Sequence, residues 1–214
     1  MDQESLIRNG FTELHSSTLY SDTLSLAKSI GCVLDIPNLS LIQTLKPRLV
    51  RSTTTNTYSG NYGLNEFPLH TDLAHWYLPP RFFILRCIEP DPNVSTILMT
   101  KEKALQGLSS LTLRRAIFKP RRKFLNRQSL LRIVQNDVFR WDEKFIAPQN
   151  DEAQEVAEHI KKLRQSKDVV HYCFTTCGQA LLIDNWKVLH GRSEVNGRSS
   201  PREIERVYLT EIKN

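Results

Sequence analysis

His70 and Asp72 stand two residues apart in Pro68-Leu69-His70-Thr71-Asp72, and a second imidazole, His190, lies far along the chain in Val188-Leu189-His190-Gly191-Arg192. In a β-strand, residues i and i+2 point to one face, so His70 and Asp72 are expected to aim at one spot. His190 sits on another apolar, strand-like segment. Two imidazoles and a carboxylate on one face of an octahedral metal make the ligand set of non-haem Fe(II) centres that keep open positions. His-x-Asp alone is a weak signal. It gains weight from the third ligand in a similar setting and from Arg202 and Arg206 behind it. Arginine offers a planar fork that holds a carboxylate bidentately and stays charged at working pH. Positions 202 and 206 share a face of a strand, so one cavity could hold two acids.

The elements that must position these groups follow from pattern. Ser21-Asp22 starts a helix whose Leu24, Ala27 and Ile30 fall on one face before Gly31, and Cys32-Val33-Leu34 reads as a short buried strand. Residues 1–20 show no strong periodicity. The Thr-, Ser-, Asn- and Gly-rich stretch from Arg51 to Asn65 reads as a loop or edge strand leading into the motif, with Asn56, Tyr58 and Ser59 as candidate substrate contacts. Arg81 to Ile88 is apolar on both faces and reads as a central strand; Val94 to Met99 is the next. Lys101 to Leu108 and Leu111 to Phe118 read as short helices, broken at Pro120. Asn150 caps a helix in which Ala153, Val156, Ala157, Ile160 and Leu163 recur at helical spacing. Val169 to Phe174 and Ala180 to Ile183, flanking Cys177-Gly178, read as a hairpin, and Arg202 to Ile212 alternates as a final strand. Many short strands with a few helices suit a mainly β fold, a double-sheet jelly roll with flanking helices.

Composition sets the bounds. With 214 residues, 40% hydrophobic and 24% charged, the chain suits one ordered domain spanning 1–214. No apolar run approaches the roughly 18–20 residues that span a bilayer. The start, Met1-Asp2-Gln3-Glu4-Ser5, is polar and acidic, so a cytoplasmic protein is expected. Cys32, Cys87, Cys173 and Cys177 are then expected as free thiols. The net charge of +6 gathers in Arg114-Arg115, Lys119 to Lys123, Arg127 and Arg132, a segment that is either a solvated basic face or a phosphate-binding one.

Pro68-Leu69-His70-Thr71-Asp72, Pro79-Pro80-Arg81, Thr96, Asp184-Asn185-Trp186 with His190-Gly191-Arg192, and Arg202-x3-Arg206, in that order, closely resemble the taurine dioxygenase / clavaminate synthase-like family of Fe(II)/2-oxoglutarate-dependent oxygenases. The resemblance runs from about Ser59 to Leu209. It implies a distorted double-stranded β-helix, and Fe(II) held by His70, Asp72 and His190. It implies that Arg202 and Thr96 hold the far carboxylate of 2-oxoglutarate and that Arg206 meets an acidic group of the substrate. With O2, such enzymes convert 2-oxoglutarate to succinate and CO2 while they oxidise a substrate, usually by hydroxylation. The implied substrate is a small carboxylate-bearing metabolite such as an amino acid or biosynthetic intermediate. Two alternatives stay open: an oxygenase acting on nucleic acid or protein through segment 114–132, and a catalytically inactive binding protein of the same fold. The stretch between the two histidines is short for the family, so a small substrate in an open site, or a partner completing the pocket, is implied. Arg192, Arg198 and Arg206 are the neighbours that could compete with Arg202 for the cosubstrate.

Overall fold

Alternation of apolar residues along two long strands builds the centre of the molecule. A computed structural model describes residues 2–48, 62–122, 129–163, 166–197 and 200–213. Its strands are β1 (Phe11–Glu13), β2 (Gly31–Val33), β3 (Gln43–Leu45), β4 (Phe67–His70), β5 (Phe82–Glu89), β6 (Thr96–Thr100), β7 (Ile117–Pro120), β8 (Leu131–Arg132), β9 (Val134–Gln135), β10 (Val138–Phe139), β11 (Ile146–Pro148), β12 (Val170–Tyr172), β13 (Ala180–Asp184), β14 (Val188–Arg192) and β15 (Glu203–Ile212). Its helices are α1 (Gln3–Asn9), α2 (Thr23–Ile30), α3 (Lys101–Ala104), α4 (Ser110–Arg115) and α5 (Asp151–Lys162). The chain is mainly β with a few helices.

Two antiparallel sheets dominate. The larger runs β1-β13-β5-β15-β2, with β3 also on β15; the smaller runs β12-β6-β14-β4. Between them pack Phe83, Leu85 and Cys87 of β5, Ile204 and Tyr208 of β15, Leu98 of β6 and Val188 of β14. The alternate residues face outward. Phe82, Ile84, Val207 and Leu209 meet Leu6 of α1 and Leu26 and Ala27 of α2. Leu69, Ile97, Met99 and Leu189 meet α5 and the small β11-β7-β8 sheet through Ala153, Val156, Ile160, Phe118 and Ile146. Val156 and Ile160 are at most 1% exposed, and each burial contributes about 1.5–3 kcal/mol. The period of two therefore decides which side chains point between the sheets: Thr96, His190 and Arg206 do, by parity with Leu98, Val188 and Tyr208.

Several expectations hold. Asp22 caps α2 through the Ser25 amide, β5 is central, and Asn150 caps α5 through the Ala153 amide. Others are corrected. The expected hairpin around Gly178 does not form: β12 pairs with β6 in the smaller sheet, while β13 pairs with β1 and β5 in the larger one. Gly178, at φ 84°, turns the chain from one sheet to the other. Ile117 and Phe118 are strand, not helix, because the Ile117 amide donates to the Asn150 side chain (3.0 Å) and so leaves the α4 ladder. Cys32 lies exposed at a sheet edge rather than buried. Residues 3–19, which lack a clear period, hold a helix, a strand and a 3-10 turn. All four cysteines are free thiols. No helix among the described residues is long and apolar enough to cross a membrane.

Candidate metal centre

His70 and His190 are directly opposite each other in the β4–β14 pair. Opposite residues share a face, so the two rings meet between the sheets, centroids 4.2 Å apart. Next to His190, a side-chain carbon on Gly191 would collide with the Phe67 carbonyl and the Ile97 side chain, so the close approach of β4 to β14 requires glycine there.

Asp72 reaches the same point by a different route from the expected one. β4 ends at His70, and Asp72 sits in the turn that follows, where Leu73 takes a left-handed φ of 53°. Other hydrogen bonds replace the strand ladder. The Thr71 amide donates to the Trp141 carbonyl (2.7 Å), and the Trp141 amide donates to Thr71 Oγ1 (3.1 Å). The Asp72 amide donates to Asn185 Oδ1 (2.7 Å), and Asn185 Nδ2 donates back to the Asp72 carbonyl (3.0 Å) and to the Pro80 carbonyl (2.8 Å). Further along, Trp186 Nε1 donates to the Pro79 carbonyl (3.0 Å). Fully buried Arg140 donates to the carbonyls of Ala74, Trp76 and Tyr77. A loop fixed at this many points can hold a buried carboxylate in place.

The three ligand groups converge. One ligand atom from each of His70, Asp72 and His190 lies within 4.8 Å of the others, and all three residues are buried. Asp72 Oδ1 is 3.5 Å from His70 Nε2 and 3.6 Å from His190 Nε2. His70 Nδ1 is 3.0 Å from the Pro68 carbonyl oxygen. A carbonyl only accepts, so Nδ1 carries a proton and Nε2 is the nitrogen that faces the carboxylate. Neither ring nitrogen of His190 has a hydrogen-bond partner although both are buried. Orphaned buried nitrogens are costly in a finished protein and are what a metal ligand looks like without its metal. Burial, with His70 beside it, pushes the His190 imidazole down to about 4, so it is neutral at pH 7, the form that binds metal. Burial works against the Asp72 charge, but the Arg206 guanidinium outweighs it and holds the carboxyl well below the usual range. The residues fit a divalent metal with a facial opening.

The cavity beside this cluster is lined by His70, His190, Thr96, Arg192, Arg202 and Arg206, with Phe67, Leu85 and Ile204 as apolar walls. Arg202 is 6% exposed, donates from Nη2 to Thr96 Oγ1 (2.7 Å), and leaves Nε without a partner. Burial, with Arg192 nearby, lowers its guanidinium to about 10, still charged at pH 7. Arg206 Nη1 donates to both oxygens of Asp72 (2.7 and 2.6 Å), while its Nε and Nη2 donate to Gln43 Oε1 on β3. Arg192 donates to the carbonyls of Gly63, Leu64, Asn65 and Ser193, so it fixes backbone rather than facing a ligand.

The structure thus brings His70, Asp72, His190, Thr96, Arg202 and Arg206 to one place. Asn56, Tyr58, Ser59 and Arg198 lie outside the described residues. Arg140 and Gln43 were missed as site-building residues. Arg140 carried a signal: it is a charged side chain between Phe139 and Trp141 in a short apolar run.

No model of a protein family matches this sequence, and no curated protein sequence does. Solved structures do. An asparagine oxygenase in complex with Fe(II), 2S,3S-3-hydroxyasparagine and succinate aligns with TM-score 0.64 and 20% identity over 84% of this chain and 60% of that one. PvcB from Pseudomonas aeruginosa aligns with TM-score 0.69 and 19% identity over 97% of this chain and 78% of that one. The non-heme iron oxygenase OrfP in complex with (3S)-hydroxy-L-Arg aligns with TM-score 0.65 and 18% identity over 87% and 64%. The chain has the fold of these iron oxygenases. It spans 60% of the asparagine oxygenase's length, so that protein carries structure with no counterpart here.

Proposed function

We propose that this protein is an Fe(II)- and 2-oxoglutarate-dependent dioxygenase that hydroxylates a small carboxylate-bearing metabolite such as an amino acid. The observation that carries the reading is the buried His70–Asp72–His190 cluster opening onto a cavity that also holds a buried, incompletely bonded Arg202. On this reading residues 1–214 form one oxygenase domain, and the two facing sheets are a distorted jelly roll. Pairing of β1 with β13 and of β2 with β15, which ties the start of the chain to its end, supports the single domain.

His70, Asp72 and His190 would hold Fe(II). When bound, Fe(II) with 2-oxoglutarate and O2 supplies the oxidising chemistry, with succinate and CO2 as co-products. The chain's own residues bind, orient and exclude water. Arg202 and Thr96 would take the far carboxylate of 2-oxoglutarate. The other arginines support this choice by their engagements, since Arg192 is spent on backbone carbonyls and Arg206 on Asp72 and Gln43. Arg206 lines the same cavity and would meet an acidic group of the substrate, for which it must share or trade its bonds to Asp72 and Gln43. The fold neighbours with bound hydroxyasparagine and hydroxyarginine support an amino acid as the substrate class. Asn56 and Tyr58 remain proposed substrate contacts.

Anaerobic titration of the metal-free protein with Fe(II) and 2-oxoglutarate tests this. The visible charge-transfer band of the chelate should appear in the wild type and vanish in His190→Ala. Absence of the band with Fe(II) demonstrably bound would sink the cosubstrate assignment.

A further inference from the structure

The turn that delivers His190 also grips the backbone that delivers Asp72. Asn185 to Lys187 connects β13 to β14, and Asn185, the first residue of the turn, is 0% exposed. Its amide is fully used. Oδ1 accepts from the Asp72 amide, and the two Nδ2 protons go to the carbonyls of Asp72 and Pro80. The same turn makes three more bonds to residues 79–81. The Asn185 amide donates to the Arg81 carbonyl (2.6 Å), the Trp186 indole to Pro79, and Arg81 Nε lies 3.4 Å from Asp184 Oδ2. A side-chain amide that pairs with both the N–H and the C=O of one residue acts as a short piece of neighbouring strand. It supplies the ladder that β4 gives up after His70.

We propose that Asn185 is a positioning residue that couples the Asp72 ligand to the His190 strand, so that the metal meets one preformed set of ligands rather than a strand and a mobile loop. This rests on the metal-site reading above. The paired bonds to Asp72 across 113 residues give the coupling. Removing a group that holds a metal ligand in place typically weakens metal binding about 10- to 100-fold.

The test is Co(II) titration of the metal-free full chain, read by Co(II) absorption and by thermal melting. Asn185→Ala should bind Co(II) about 10- to 100-fold more weakly than the wild type with an altered spectrum, and Asn185→Asp, which keeps the acceptor but loses both donors, should also bind more weakly. Thr23→Val serves as the control. Thr23 is equally buried but bonds Glu205 away from the cavity, so it should lower the melting temperature and leave Co(II) affinity unchanged. A folded Asn185→Ala or Asn185→Asp with wild-type affinity and spectrum would reduce Asn185 to fold support and overturn the proposal. If neither variant folds, hydrogen exchange in the wild type decides. Co(II) should slow exchange in residues 70–74 and 184–187 together, and protection confined to 70–74 would overturn the coupling. A wild type that binds no Co(II) at all removes the metal-site reading itself, a different outcome from either.

Discussion

Arg202 is buried and, among the described residues, makes no ion pair; one hydroxyl, Thr96, is its side-chain partner. A buried guanidinium costs several kcal/mol to desolvate, which an acid arriving in the cavity would offset. Charge-assisted bonds of this kind contribute about 1.5–3 kcal/mol each, so Arg202→Ala is predicted to weaken 2-oxoglutarate about 10- to 100-fold or more. Fe(II) affinity should change little, because Arg202 is not among the ligand cluster. Separate anaerobic titrations of metal and cosubstrate check this, and equal loss of both would assign the carboxylate to another group. The residue types at this site were legible in the sequence because their chemistry is specific: imidazoles, a carboxylate and forked cations in a fixed order. The bond from Arg206 to Asp72 was not legible. It depends on β15 lying beside β3 and facing the turn after β4, a contact between residues 134 apart.

At the scale of elements, pattern served where one period dominated. α5 and the alternation of β15 were readable because each buries a regular face. The motif strand was misjudged beyond His70 because its continuation is held by side chains of Asn185 and by Trp141, not by a neighbouring strand. The hairpin around Gly178 was misjudged because a glycine turn serves equally between strands of one sheet and strands of two. The segment after Trp141 has a consequence of its own. Asp142 is 1% exposed and accepts from the amides of Lys144 (2.7 Å) and Phe145 (3.0 Å), capping the turn behind the Thr71–Trp141 bridge. Burial pushes its carboxyl up to about 7, against those amides. The folded chain therefore holds this proton between about pH 4 and pH 7 while the unfolded chain has lost it. Asp142 thus removes stability as pH rises through that window. His190, pushed down to about 4, adds stability over pH 4–6.5 and masks the effect in the wild type. Asp142→Asn keeps the acceptor without the proton, so its stability relative to wild type should rise steadily from pH 4 to pH 7. Urea melts at four pH values measure this, and a pH-independent difference would mean that Asp142 ionises normally.

At the scale of the whole molecule, the proposed ligands and their supports come from both sheets and from distant stretches of chain. His70 and His190 belong to the smaller sheet, whereas Arg202 and Arg206 enter from β15 and its approach in the larger one. The basic segment stands apart: its described arginines, Arg114, Arg115, Arg121, Arg122 and Arg132, do not line the cavity, so the small-molecule reading does not need them. Because the site joins the sheets, metal should stabilise the chain as a unit. A ligand bound only to the folded state at 100 times its Kd adds about 2.7 kcal/mol. For a chain of this size that corresponds to a rise of about 5–10 °C in Tm. Scanning calorimetry of the metal-free protein should show one transition, and saturating Co(II) should move that transition whole. Two transitions, of which Co(II) moves one, would divide the chain into independent units and confine the proposed oxygenase site to one of them. A single transition that Co(II) leaves in place would mean that the His70–Asp72–His190 cluster binds no metal in the folded protein, and the oxygenase reading would fall with it.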